Sequence, residues 1–208
     1  MLTDYLLGLV YLYLGVRLFR TYGLVMAGLA FFAIAAAAFT GGTYHGLGAV
    51  LRESTLAVLW NVSLTMVGFS SFFLLAAVLS IAVDGKTRRV WFAIATLQLG
   101  VYLFWISSHK EFRFAIYDYA SAMAAILAFS VVAARRGNRV FGQWMAGGIA
   151  ICLLASVVQA SHFALQRNFN HNDLYHVIQI GGALLFYRAF VQASLHSNRK
   201  DTLPSLDQ

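Results

Sequence analysis

Apolar stretches of similar length recur along the whole chain, each closed by a small group of charged residues. A helix needs about 20 mostly apolar residues to cross the hydrocarbon of a bilayer, because each residue advances it by only about 1.5 Å. Seven runs meet that requirement: Leu2 to Phe19, Tyr22 to Tyr44, Thr55 to Val83, Val90 to Ser108, Phe114 to Ala134, Val140 to Leu165, and Asp173 to Leu195. The first is short and holds Arg17, whose long side chain can reach the headgroups from near a helix end. The pattern predicts an all-α, polytopic membrane protein. We expect a seven-transmembrane helix bundle over residues 1–196 and a short polar tail over 197–208.

Composition supports that reading. Hydrophobic residues make up 60% of the chain and charged residues 11%, against roughly a quarter charged in an ordinary soluble domain. The single Cys152 excludes a disulfide within the chain and sits in an apolar run, as a packing residue would. The net charge of +7 does not point to nucleic acid, because the basic residues are scattered through short loops and form no stripe interleaved with aromatics. They sort by side instead. Arg17, Arg20, Lys86, Arg88, Arg89, Arg135, Arg136, Arg139, Arg199 and Lys200 fall at one end of the predicted helices, and Arg52, Lys110, Arg113 and Arg167 at the other. Cytoplasmic loops carry the basic excess, so the N-terminus is expected outside and the C-terminus in the cytoplasm, with the chain a multi-pass protein of a cell inner membrane. An odd number of spans is what keeps these signs consistent.

Polar residues at membrane depth are the functional candidates, since each ionisable group there costs about 2.5–3.5 kcal/mol on insertion scales. His45 ends the second run, His162 lies near the end of the sixth, and His171 and His176 flank the start of the seventh. All four fall toward the same predicted face. Asn61 and Asp118 join them at similar depth, with Asn172 and Asp173. Asn172, His176 and Gln179 have i, i+4 and i+7 spacing and share one helix face. Several imidazoles at one depth suit a zinc ion, which takes three protein ligands in catalytic sites and activates water. Each histidine could instead be an interfacial side chain bonded to a carbonyl or to headgroup water. Asp173 could cap the seventh helix. The glycine pairs Gly41–Gly42, Gly147–Gly148 and Gly181–Gly182 read as helix-packing positions. No span contains Lys, which excludes a retinal Schiff base.

The arrangement resembles the CREST superfamily of seven-helix membrane proteins, which includes alkaline ceramidases and progestin/adiponectin-type receptors. The likeness rests on His45 within Thr43-Tyr44-His45-Gly46, on Asn61 at the third-helix Asp position, and on Asn172-Asp173-Leu174-Tyr175-His176-Val177-Ile178-Gln179 in the last helix. Where the family has a Ser four residues before the second-helix His, this chain has Gly41; Asn61 replaces the Asp, and Asn172 replaces the first His of the last motif. The resemblance implies a zinc-dependent hydrolase of a lipid-like amide or ester, with His45 and His176 as metal ligands. His171 or His162 would complete the set, and Asp118 or Asp173 would handle the proton that Asn61 cannot, with Asn172, Gln179 and Thr43 around them. The lost signature positions give a second expectation, a non-catalytic lipid-binding or sensor protein with a membrane lipid as ligand. A haem b protein with His45 and either His162 or His176 as axial ligands is a third.

Overall fold

The computed structural model describes residues 2–161 and 170–202, with side chains through Ser197. Among these residues it contains seven helices and no strand: α1 (Leu2–Tyr22), α2 (Val25–Gly46), α3 (Glu53–Ala82), α4 (Gly85–Ser108), α5 (Phe112–Arg135), α6 (Arg139–Ser161) and α7 (His171–Thr202). All seven are long and apolar enough to cross a membrane. The predicted spans and observed helices differ mainly at charged ends. α4 begins at Gly85, five residues before the predicted Val90, and so takes Lys86, Arg88 and Arg89 into its first turns. Such side chains continue a helix past the hydrocarbon while their charges stay in the headgroup layer. α7 likewise continues through Thr202 into the expected tail. The last predicted residues of the sixth run, through Leu165, lie outside the described residues.

Successive helices run in opposite directions, as short connections require. Trp60 at the start of α3 donates to the Lys110 carbonyl between α4 and α5 at 2.7 Å, while Arg136 past the end of α5 donates to Ala82 at the end of α3 at 3.1 Å. Gly23 and Gly137 take the turns at the latter end with φ of 65° and 99°, a left-handed conformation that a Cβ disfavours. Packing follows the order α1, α2, α3, α5, α6, α7 and back to α1, with α4 outside against α3. Phe31, Phe141, Phe186 and Phe190 are fully buried between these helices.

In hydrocarbon no hydrophobic force drives helices together, so close approach depends on small residues. One glycine of each predicted pair supplies it. A Cβ on Gly148 of α6 would lie 2.5 Å from the Phe186 ring of α7, one on Gly182 of α7 would lie 2.8 Å from Cys152 Sγ, and one on Gly42 of α2 would lie 2.6 Å from Asp4 Cβ of α1. Gly148→Leu is therefore expected to lower stability by about 1–3 kcal/mol through overpacking, read as a drop in the melting temperature of detergent-purified protein. Gly100→Leu, with open space around it, should leave the melting temperature unchanged.

Candidate functional site

The buried face of α1 is read from its spacing: Asp4, Leu7, Gly8, Tyr11, Leu14, Gly15 and Leu18 recur at three and four residues and form one stripe. Asp4 is the first member of that stripe and is 4% exposed. α1 packs between α2 and α7, so the stripe carries the Asp4 carboxyl into the end of the bundle where α7 begins. Gly42 gives it room on the α2 side.

The start of α7 is fixed by its own side chains. Asn170 Oδ1 accepts from the backbone N–H groups of Asn172 at 2.9 Å and Asp173 at 3.2 Å, while Asp173 Oδ2 accepts from the Asn170 N–H at 3.3 Å. This reciprocal pattern is a capping box, with a carboxylate where the helix dipole favours one. The other oxygen, Asp173 Oδ1, accepts from the Thr3 hydroxyl of α1 at 2.7 Å. The same Thr3 oxygen lies 3.3 Å from His176 Nδ1. On the far side of the ring, His176 Nε2 lies 3.6 Å from Asp4 Oδ1.

The lengths of these contacts point to one tautomer of His176. A threonine hydroxyl has one proton, and Thr3 gives it to Asp173 in the shorter bond. The longer contact is then the Nδ1–H of His176 donating to Thr3. A neutral ring protonated on Nδ1 has a bare lone pair on Nε2, and that lone pair faces a carboxylate oxygen. At 3.6 Å the contact is too long for a strong hydrogen bond, and it is an ion pair when the ring is protonated. A proton on Nε2 or a cation would each satisfy the pair. Two ligands on one tetrahedral zinc, at bonds of about 2.0–2.1 Å, stand about 3.3–3.4 Å apart, close to the separation seen.

The remaining candidates lie around this pair or away from it. His45, at the end of α2, is exposed; its ring meets Tyr44 at 5.2 Å and Trp60 at 6.0 Å edge-on. It remains within electrostatic range of His176, as do Asp4 and Asp173. Thr43, one turn inside, joins α2 to α1 through a 2.7 Å bond with the Tyr5 hydroxyl. His171 is the first residue of α7, and His162 lies outside the described residues. The expected stripe on α7 divides: Asn172 turns to α6, accepting from Gln159 at 3.3 Å, His176 faces α1, and Gln179 donates to the Tyr175 hydroxyl at 2.6 Å. Asn61 is half-buried on α3. Asp118 is held among α3, α4 and α5 by Gln98 at 3.0 Å, in a different interface from the histidines. Among the described residues no group of three or more His, Cys, Asp or Glu side chains is placed to hold a metal ion. His176 and Asp4 supply two donors only.

Asp4 and Thr3 were not among the residues expected here. A charge in the first turn reads as the flank of a span, and only the stripe through Gly8 and Gly15 shows it facing inward. Arg188 also lies inside the seventh span, with its guanidinium over the Trp144 ring at 5.3 Å.

The fold and site define an integral, multi-pass membrane protein of seven helices with a buried Asp–His pair at one end. Residues 1–194 match the family described as a family of unknown function, DUF6962, and the chain belongs to that family. No curated protein and no solved structure matches it significantly.

Removing one member of a buried charged pair costs up to about 3–5 kcal/mol. His176→Leu is expected to lower the melting temperature strongly, and adding Asp4→Asn to it should restore a large part of the loss. Equal or additive losses in the double variant would show that the two residues do not act on one another.

Proposed function

We propose that the chain is a membrane-embedded hydrolase of a lipid-like amide or ester, with zinc as its cofactor and the Asp4–His176 pair as its working site. The observation that carries the proposal is the buried Asp4 carboxylate facing one ring nitrogen of His176 while Thr3 engages the other. Metal-binding histidines characteristically use their second nitrogen in this way, and the Thr3–Asp173 relay provides that outer support. A zinc ion held there would supply Lewis acidity and water activation near neutral pH.

The ligand assignment is His176 with Asp4, completed from His45 or His171, whose helices have ends here, or from His162, which lies outside the described residues. Asp118, one of the two carboxylates expected to handle the proton, lies in another helix interface and has no part in this assignment. Asp173 works through Thr3, holding the His176 ring at its angle. The CREST likeness belongs to this proposal, since it draws on the same second-helix and seventh-helix histidines. So does the orientation: by the ten-to-four bias of basic residues the pair belongs at the outer face of a cell inner membrane. A lipid-like substrate would then reach it from the outer leaflet, with its polar head at the pair.

Elemental analysis of detergent-purified protein is expected to find about one zinc per chain, lost in His176→Ala and Asp4→Ala, together with turnover of a fluorogenic lipid amide or ester. Metal-free wild-type protein would overturn the zinc assignment. One observation favours a second reading: two donors, not three, converge among the described residues. In that reading a proton bridges Asp4 and His176, and the protein binds a membrane lipid without cleaving it. A lipid that co-purifies in native mass spectrometry, with no zinc and no turnover, selects it. For the orientation, a Cys introduced at Thr87 in a Cys152→Ala background should react with thiol reagents only after the cytoplasmic side is opened.

A further inference from the structure

A second polar cluster lies between α3, α4 and α5. Asp118 of α5 is 8% exposed, and its Oδ1 accepts from Gln98 Nε2 of α4 at 3.0 Å. Gln98 Nε2 also approaches Ser121 Oγ at 3.0 Å and the Asp118 carbonyl at 3.4 Å, and Ser121 Oγ donates to that carbonyl at 2.8 Å. The second carboxyl oxygen, Asp118 Oδ2, is fully enclosed and has no hydrogen-bond partner. Asp118 also borders a cavity of about 10 Å³, together with Gln98, Ser71, Gly68, Phe72 and Leu75. That volume is about one water-sized particle.

The lining contains no basic residue. A carboxylate six residues inside α5, about 9 Å along its axis, would therefore stand in low dielectric without a counter-charge, which is costly. The groups that can turn to the cavity are hard oxygens: Asp118 Oδ2, Ser71 Oγ, whose present bond to the Val67 carbonyl is long at 3.2 Å, and the amide oxygen of Gln98 after a flip of its side chain. Hard oxygen donors select hard cations, one carboxylate balances one positive charge, and the small cavity excludes a large ion. We propose that this cavity is a sodium site, in which Asp118 binds the ion with Ser71 and Gln98 and so ties peripheral α4 to α3 and α5.

The test is thermal melting of the purified full chain in sodium, potassium and choline chloride at equal ionic strength. Sodium is expected to raise the melting temperature saturably above both other salts. Asp118→Asn, a neutral isostere, should abolish the sodium response. Ser71→Ala, which keeps the carboxylate, should raise the sodium concentration needed for half the effect severalfold, and it tests the site even if Asp118→Asn folds poorly. Equal melting in sodium and choline at neutral and alkaline pH overturns the proposal. So does a response to pH without one to sodium, which would assign the cavity to a proton. A full sodium response retained in Ser71→Ala and Asp118→Asn would place the ion elsewhere.

Discussion

The contact between Asp4 and His176 is the constraint on which the functional end of this bundle depends. A carboxylate and an imidazole are brought to 3.6 Å at the start of two helices separated by most of the chain. Neither is free to leave: Asp4 is on the stripe that packs α1, and His176 is held through Thr3 by the residue that caps α7. The same groups that start the helices thus position the chemistry. Gly42 is part of this constraint, because a side chain there would push α2 off the carboxyl.

That arrangement explains why α1, the weakest span by sequence, is essential to the site. α1 lies against both α2 and α7 and brings to this end the Asp4 carboxyl and the hydroxyls of Thr3 and Tyr5. Without it the histidines of α2 and α7 would have no carboxylate between them. The polar character of this end continues inward only sparsely, through Gln179 and the Tyr175 hydroxyl. Most of the remaining core is aromatic and aliphatic, apart from Asp118 and a few buried serines.

Helix number and type were legible in the sequence because both follow from run length and hydrophobicity, which hydrocarbon thickness imposes directly. Helix ends were less so, since Lys86, Arg88 and Arg89 extend α4 without being apolar. The site was legible in part. His176 and Asp173 stand out as charged or ionisable residues beside an apolar run, and both are at the centre of the observed cluster. Depth alone could not show that Asp118 belongs to α3 and α4 instead, because the peripheral place of α4 is decided by packing between helices. Asp4 was hidden by its position: at the edge of a span an acid looks like a solvated flank until its register with Gly8, Tyr11 and Gly15 is followed.

The central claim is that a positive species bridges His176 Nε2 and Asp4, with Nδ1–H donating to Thr3. Nitrogen-15 NMR of the histidine rings, with His176 assigned by its loss in His176→Gln, reads the state of both nitrogens directly. The account predicts a protonated Nδ1 and an Nε2 shifted by a bound metal or proton. A neutral ring whose Nε2 carries a bare lone pair, unchanged by Asp4→Asn, would contradict it.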